Sequence, residues 1–258
     1  YNNVYAGTDL RGGGTGEESL DLFLVTHDRH PFPLHPDRKG DERDYMRRGS
    51  IKNLPGLSRA ETNEAGDSFG QFAFDDYYGP GSRWIRRAVL TREGYLLIAD
   101  EYIGGAPLRE DYRAGPVWHL ALGDEIRESG NGPHSIETQT QNWFDAPAFA
   151  HAWWQNEKIR VLLYIHQDSA TEFGRIRQRY SQDTDPNITC FASRQIQHGQ
   201  SERFLSALVP YPEGEPAQSL SESIDTQISE IGTSRARIKK TTITLMADGT
   251  WAVVREEG

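Results

Sequence analysis

One cysteine, no long apolar run and a shortage of positive charge set the first limits on this 258-residue chain. A lone Cys190 has no partner for an internal disulfide, so the fold must rest on packing, and the thiol is expected to sit in the core as a small hydrophobe. No stretch of about 18 apolar residues occurs, which excludes a membrane-spanning helix. Against 38 Asp and Glu the chain sets 28 Lys and Arg, a formal net charge of -10. That balance argues against general nucleic-acid binding, which needs a basic footprint, but leaves room for a local cationic groove. The sequence also lacks G-x-S-x-G and H-E-x-x-H, removing the standard serine-hydrolase and zinc-protease readings. Its glycine-rich start, YNNVYAGTDLRGGGTGEES, does not follow a strand or open a helix as a phosphate-binding G-x-G-x-x-G would. No repeat of fixed period appears, which disfavours a propeller or solenoid. The chain opens on Tyr1 rather than Met, so a mature or excised piece is expected.

What is present is β-like. From Leu20 onward short runs rich in β-branched and aromatic residues follow one another, among them RWIRRAVL, GYLLIADEYI, VWHLAL, IRVLLYIH, FGRIRQRYS and RFLSALVPY. Gly, Pro, Asn and Asp separate them, and several alternate with period two. In LMADGTWAVV, Asp248-Gly249 lies between two apolar runs, the chemistry of a type I′ hairpin. Leu220, Ile224, Ile228 and Ile231 carry a spacing that suits one short helix or a polar connection. The expectation is an all-β protein: a large antiparallel β-sandwich, two-layered and supersandwich-like, with long loops and little helix. Residues 1–65 read as glycine- and proline-rich loops with an initial strand packed on the sandwich, and residues 66–258 as the sandwich itself.

Candidate functional residues fall into three groups. Arg175, Arg177 and Arg179 stand two apart, so on a strand their guanidinium groups would line one side, each roughly 6–7 Å from the next. Such a ladder pairs with acids across the sheet or tracks a polyanion through bidentate contacts. SRARIKK repeats the pattern with Arg235, Arg237 and Lys239. In THDRHPFPLH, His27 and His30 lie in a loop-like context beside Asp28, matching no strong zinc spacing. His119 sits in a strand next to Trp118, where a satisfied, partly buried histidine is the plain expectation. Tyr5 belongs to a set of tyrosines able to serve as general acid or base beside arginine or histidine.

One series of segments resembles the β-sandwich portion of heparinase II/III-like polysaccharide lyases: GSRWIRRAVLTREGYLLIADEYIGGA, GPVWHLAL and ERFLSALVPYPEG. The matching positions are Arg86 or Arg87, Asp100, His119 and Val209-Pro210. The resemblance spans roughly residues 70–256 in pattern. It implies cleavage of uronic-acid-containing polysaccharide by β-elimination, with a base removing the C5 proton and an acid protonating the leaving oxygen. It also implies a partner, an α-helical toroid domain or chain of the same enzyme, because family members close their cleft between toroid and sandwich. On this reading His27, His30 and Tyr5 are the catalytic candidates. Arg86, Arg87, Arg175, Arg177, Arg179, Trp143 and Trp154 would meet the acidic polysaccharide. No cofactor is required, although His119 and Asp100 could hold a divalent zinc or calcium ion. A secreted or periplasmic location follows from the resemblance, with no nucleic-acid or membrane partner. The alternative is a non-catalytic carbohydrate-binding or structural β-sandwich, in which tryptophans such as Trp143, Trp153 and Trp154 stack on sugar rings.

Overall fold

The computed structural model describes residues 23–26, 58–75, 81–105, 113–121, 135–147, 159–178, 187–197 and 199–256. In chain order its strands begin with β1 (Phe23–Thr26), β2 (Arg59–Thr62), β3 (Ser68–Asp75), β4 (Arg83–Leu90) and β5 (Leu96–Ile103). Next come β6 (Arg113–Ala121), β7 (Ser135–Gln139), β8 (Trp143–Pro147), β9 (Ile159–Ile165), β10 (Glu172–Gln178) and β11 (Asn187–Gln195). The chain then runs through β12 (Ser201–Pro212), α1 (Ala217–Glu222), β13 (Ile224–Ile228), β14 (Ser234–Ile238), β15 (Thr241–Leu245) and β16 (Trp251–Arg255). The all-β class expected from the sequence is the class observed.

These strands form three antiparallel sheets, ordered β1-β6-β11-β10-β7, β2-β3-β4-β5-β12-β9-β8 and β13-β14-β15-β16. The seven-stranded sheet is the middle layer. On one face Trp84, Ile98, Leu163, Phe204 and Leu208 pack against Trp118, Phe173, Cys190 and Ala192 of the five-stranded sheet. On the other, Val89, Leu97, Leu162, Leu205 and Val209 pack against Ile224, Ala236, Ile238, Ile243 and Leu245 of the four-stranded sheet. The expected two layers are therefore three. The reason is visible in β5 and β12, where four and six consecutive residues are buried. A strand with one wet face alternates, whereas one covered on both faces reads as a continuous apolar run.

Two local expectations also change. Residues 218–231 divide between helix α1 and strand β13, because a spacing of four is even and places Ile224 and Ile228 on one side of a strand as readily as of a helix. Ile231, the last member of that series, is exposed. The hairpin at Asp248-Gly249 exists, but Gly249 alone of the pair has positive φ (86°). Gly249 N–H donates to Met246 O, and Met246 N–H to Thr250 O, which makes a type I turn closed by a left-handed glycine rather than type I′. The same hydrogen-bond pair closes residues 63–67, 91–95 and 229–233. Strand β2 lies within the segment read as loops, and β1 pairs with β6 as the initial strand of that segment.

The outer sheet is also tied to the middle one by charge. Arg255 of β16 donates from Nε to Glu93 at 2.6 Å and from Nη1 to Asp67 at 3.1 Å, reaching the β4–β5 and β2–β3 turns together. The Arg255 hydrogen bond holds the Glu93 carboxyl down to about 2 from an ordinary 4.5. A folded-state pKa below the unfolded one stabilises the fold above the unfolded value, and that contribution disappears as pH falls through the folded value. Arg255→Ala is thus expected to lower the thermal midpoint at neutral pH, with the variant and wild-type curves converging between pH 4.5 and about 2. Midpoints measured across that range check it; curves that stay parallel would remove this pair as the cause.

Candidate functional site

Strands β4 and β5 are in register so that Arg86 stands directly opposite Asp100. Arg86 Nε donates to Asp100 Oδ1 at 2.7 Å and Nη2 to Oδ2 at 2.9 Å, while Trp84 Nε1 donates to Oδ1 at 2.8 Å. The guanidinium carbon lies 5.1 Å from the Trp84 ring and 5.0 Å from that of Trp118 on β6. A bidentate, aromatic-flanked guanidinium is a geometry arginine supports and lysine does not. Side-chain exposures of 9% for Arg86 and 0% for Asp100 put the pair out of water. Its effect is to clamp β6 onto the middle sheet one residue before His119, whose backbone stands opposite Thr189 of β11.

Asp100 does not fit the metal-ligand role expected for it. Its carboxylate oxygens accept three hydrogen bonds, two from a guanidinium whose fixed charge would oppose a divalent cation. Among the described residues no group of three or more His, Cys, Asp or Glu could hold a metal ion. Arg86 and Arg87 are likewise enclosed rather than presented to a ligand. Arg87 extends to the opposite layer, where it donates to Gln71 Oε1 at 2.8 Å and to the Ala247 carbonyl at 2.5 Å. It also pairs with Glu101, which Arg203 meets at 3.0 Å. Successive residues of one strand thus brace the middle sheet against its two neighbours, as period-two alternation requires.

The remaining expected residues are dispersed. Arg175 stands opposite Glu137 of β7 and Cys190 of β11, and Arg177 opposite Ser135 and Ile188. Tyr5, His27, His30, Trp154 and Arg179 lie outside the described residues. Trp143 is half-buried opposite Tyr164, packed on the core cluster between the middle and outer sheets.

Two polar clusters had no signal in the sequence. Arg160 donates to Asp145 at 2.6 Å, and Tyr211 donates its hydroxyl to the same carboxylate. Burial, followed by that hydrogen bond, pushes the Tyr211 hydroxyl pKa up, so the phenol stays protonated. His166 shares a 2.9 Å hydrogen bond with Thr226 of β13, and burial pushes its pKa down. Tyr211 stands 66 positions from Asp145, and Thr226 stands 60 from His166, a proximity that only strand order creates. No helix among the described residues is long and apolar enough to cross a membrane.

No protein-family model and no curated protein matches the sequence. Solved structures do. A mutant of the heparan sulfate lyase HepC from Pedobacter heparinus aligns with a TM-score of 0.48 and 13% identity, over 78% of this chain and 27% of that one. A heparinase III structure aligns with a TM-score of 0.48 and 16% identity, over 73% of this chain and 26% of that one. The chain thus spans about a quarter of the length of these lyases.

Proposed function

We propose that the chain is the β-sandwich portion of a polysaccharide lyase that cleaves uronic-acid-containing polysaccharide by β-elimination, working with an α-helical toroid domain or chain. The observation that carries this reading is the union of the resembling segments into one rigid block. β4, β5 and β12 are consecutive in the middle sheet, and the Arg86–Asp100 pair braces β6 through Trp118. A strand histidine at position 119 would then be held by packing rather than by a loop, the support that catalytic positioning needs. In this scheme a loop histidine, His27 or His30, and Tyr5 handle the C5 proton and the leaving oxygen. Stabilising the enolate-like charge on the uronate is the larger requirement. No step runs through a metal, because the Asp100 carboxylate is committed to Arg86. A secreted or periplasmic setting, where acidic polysaccharide is met, belongs to the same proposal.

The test is ultraviolet absorbance of new 4,5-unsaturated uronate ends, with heparin, heparan, chondroitin, hyaluronan, alginate and ulvan as substrates. The chain is assayed alone and then joined to whatever the full-length gene encodes. Product from the full-length protein alone is the expected result. Product from this chain alone would overturn the need for a toroid, and no product from either form would overturn the lyase reading.

A further inference from the structure

The outer sheet has a second face that the packing does not use. Ala236, Ile238, Ile243 and Leu245 point into the core, so the residues between them turn outward. Strand register arranges them in two rows across the sheet: Gln227, Arg235, Thr244 and Ala252, then Asp225, Arg237, Thr242 and Val254. All are exposed except the half-buried Thr242 and Thr244. The track suggested by SRARIKK ends after two arginines, because Lys239 lies in the turn at φ 53° and pairs with Glu215. Among the described residues Arg235 has no hydrogen-bond or ion-pair partner. Arg237 meets Glu256 at 2.9 Å, with both side chains about half exposed at 49% and 53%. An exposed pair of that kind contributes little, so a multivalent anion can displace the glutamate.

We propose that this outer face is a non-catalytic docking track for an acidic polysaccharide, anchored by Arg235 and Arg237, with Thr242, Thr244 and Gln227 hydrogen-bonding sugar hydroxyls. Two like charges roughly 6–7 Å apart on one strand call for anionic groups spread along a ligand rather than a single ion. The two rows contain no aromatic side chain on which a base could stack, which disfavours single-stranded nucleic acid. The protein's net charge of -10 also makes generic adsorption to a polyanion unfavourable, so affinity must come from a local patch. The polyanion character rests on the sheet face alone; polysaccharide as its occupant rests on the lyase reading.

The experiment is calorimetric titration of this chain with heparin, chondroitin sulfate, neutral dextran and oligo-dT at two salt concentrations. Wild type, the double variant Arg235→Ala/Arg237→Ala and the control Arg83→Ala are compared, each with its thermal midpoint. Arg83 is an exposed cation paired with Asp75 away from this face. Wild type is expected to bind a charged glycan, more weakly at higher salt, and not dextran. The double variant should bind about tenfold more weakly at an unchanged midpoint, while Arg83→Ala binds as wild type. Equal binding by the double variant, no glycan binding by wild type, or oligo-dT binding as tight as glycan would each overturn the proposal. Unsaturated product is read separately. Product from the full-length protein without glycan binding at this face sinks the track alone, and binding at this face without product from the full-length protein sinks the lyase alone.

Discussion

Asp100→Ala is expected to destabilise the protein by about 3–5 kcal/mol, the cost of leaving one partner of a buried ion pair without the other. Arg86 would then keep a buried guanidinium without the carboxylate that now faces it. Trp84 Nε1, which donates to the same carboxylate at 2.8 Å, loses its acceptor as well. Asp100→Asn should cost less, because an amide oxygen still accepts from the indole while the charge is lost. The informative control is the double variant Arg86→Met/Asp100→Leu. Removing both charges lets apolar side chains fill the space between Trp84 and Trp118, so most of the stability should return. Urea unfolding of the four proteins measures this. A loss under about 1 kcal/mol for Asp100→Ala would mean that water reaches the pair and that it does not clamp β6. A double variant as unstable as the single one would instead assign the cost to shape.

Gly115→Ala should be at least as damaging, exceeding about 4 kcal/mol or preventing folding. A Cβ at this position would collide with the carbonyl of Ala192, lying 2.7 Å from its carbon and 3.0 Å from Ser193 Cα. Those atoms are backbone of β11, so no side chain can swing aside, and β6 and β11 would have to separate. The next residue, Pro116, has no N–H to donate to a ladder, which already weakens this stretch of the pairing. Gly214→Ala is the matched control, since nothing lies within 4 Å of a Cβ there. It should fall within about 0.5 kcal/mol of wild type. Soluble yield and urea midpoints for the two variants decide the matter; equal stability would show that β6 and β11 do not approach closely at Gly115.

The legible parts of this protein are those set by neighbours in the chain. Period-two alternation and glycine-bearing turns marked RWIRRAVL, GYLLIADEYI and RFLSALVPY as strands, and Asp248-Gly249 as a hairpin. The lone thiol was expected inside and is buried in the core cluster. Where a pattern fits two periods the sequence misleads: Ile224 and Ile228, expected in a short helix or a polar connection, lie on a strand, since a spacing of four belongs to helix and strand alike. The candidate site was less legible. The family resemblance points to Arg86 and Arg87 as substrate-binding and to Asp100 as a metal ligand, but a charge in an apolar run can serve a ligand or a partner across the sheet. The choice depends on what stands opposite.

By itself the sequence determined the all-β class, most strand positions and the acidic, disulfide-free character of the chain, because these follow from composition and from spacings of two to four residues. Only the tertiary structure decided that there are three layers, with β5 and β12 covered on both sides. It alone paired Arg86 with Asp100, joined Tyr211 to Asp145 and Arg160, and turned Arg235 and Arg237 outward. Each of these depends on strand order and register, which bring together residues far apart in the chain, and no local spacing encodes that proximity.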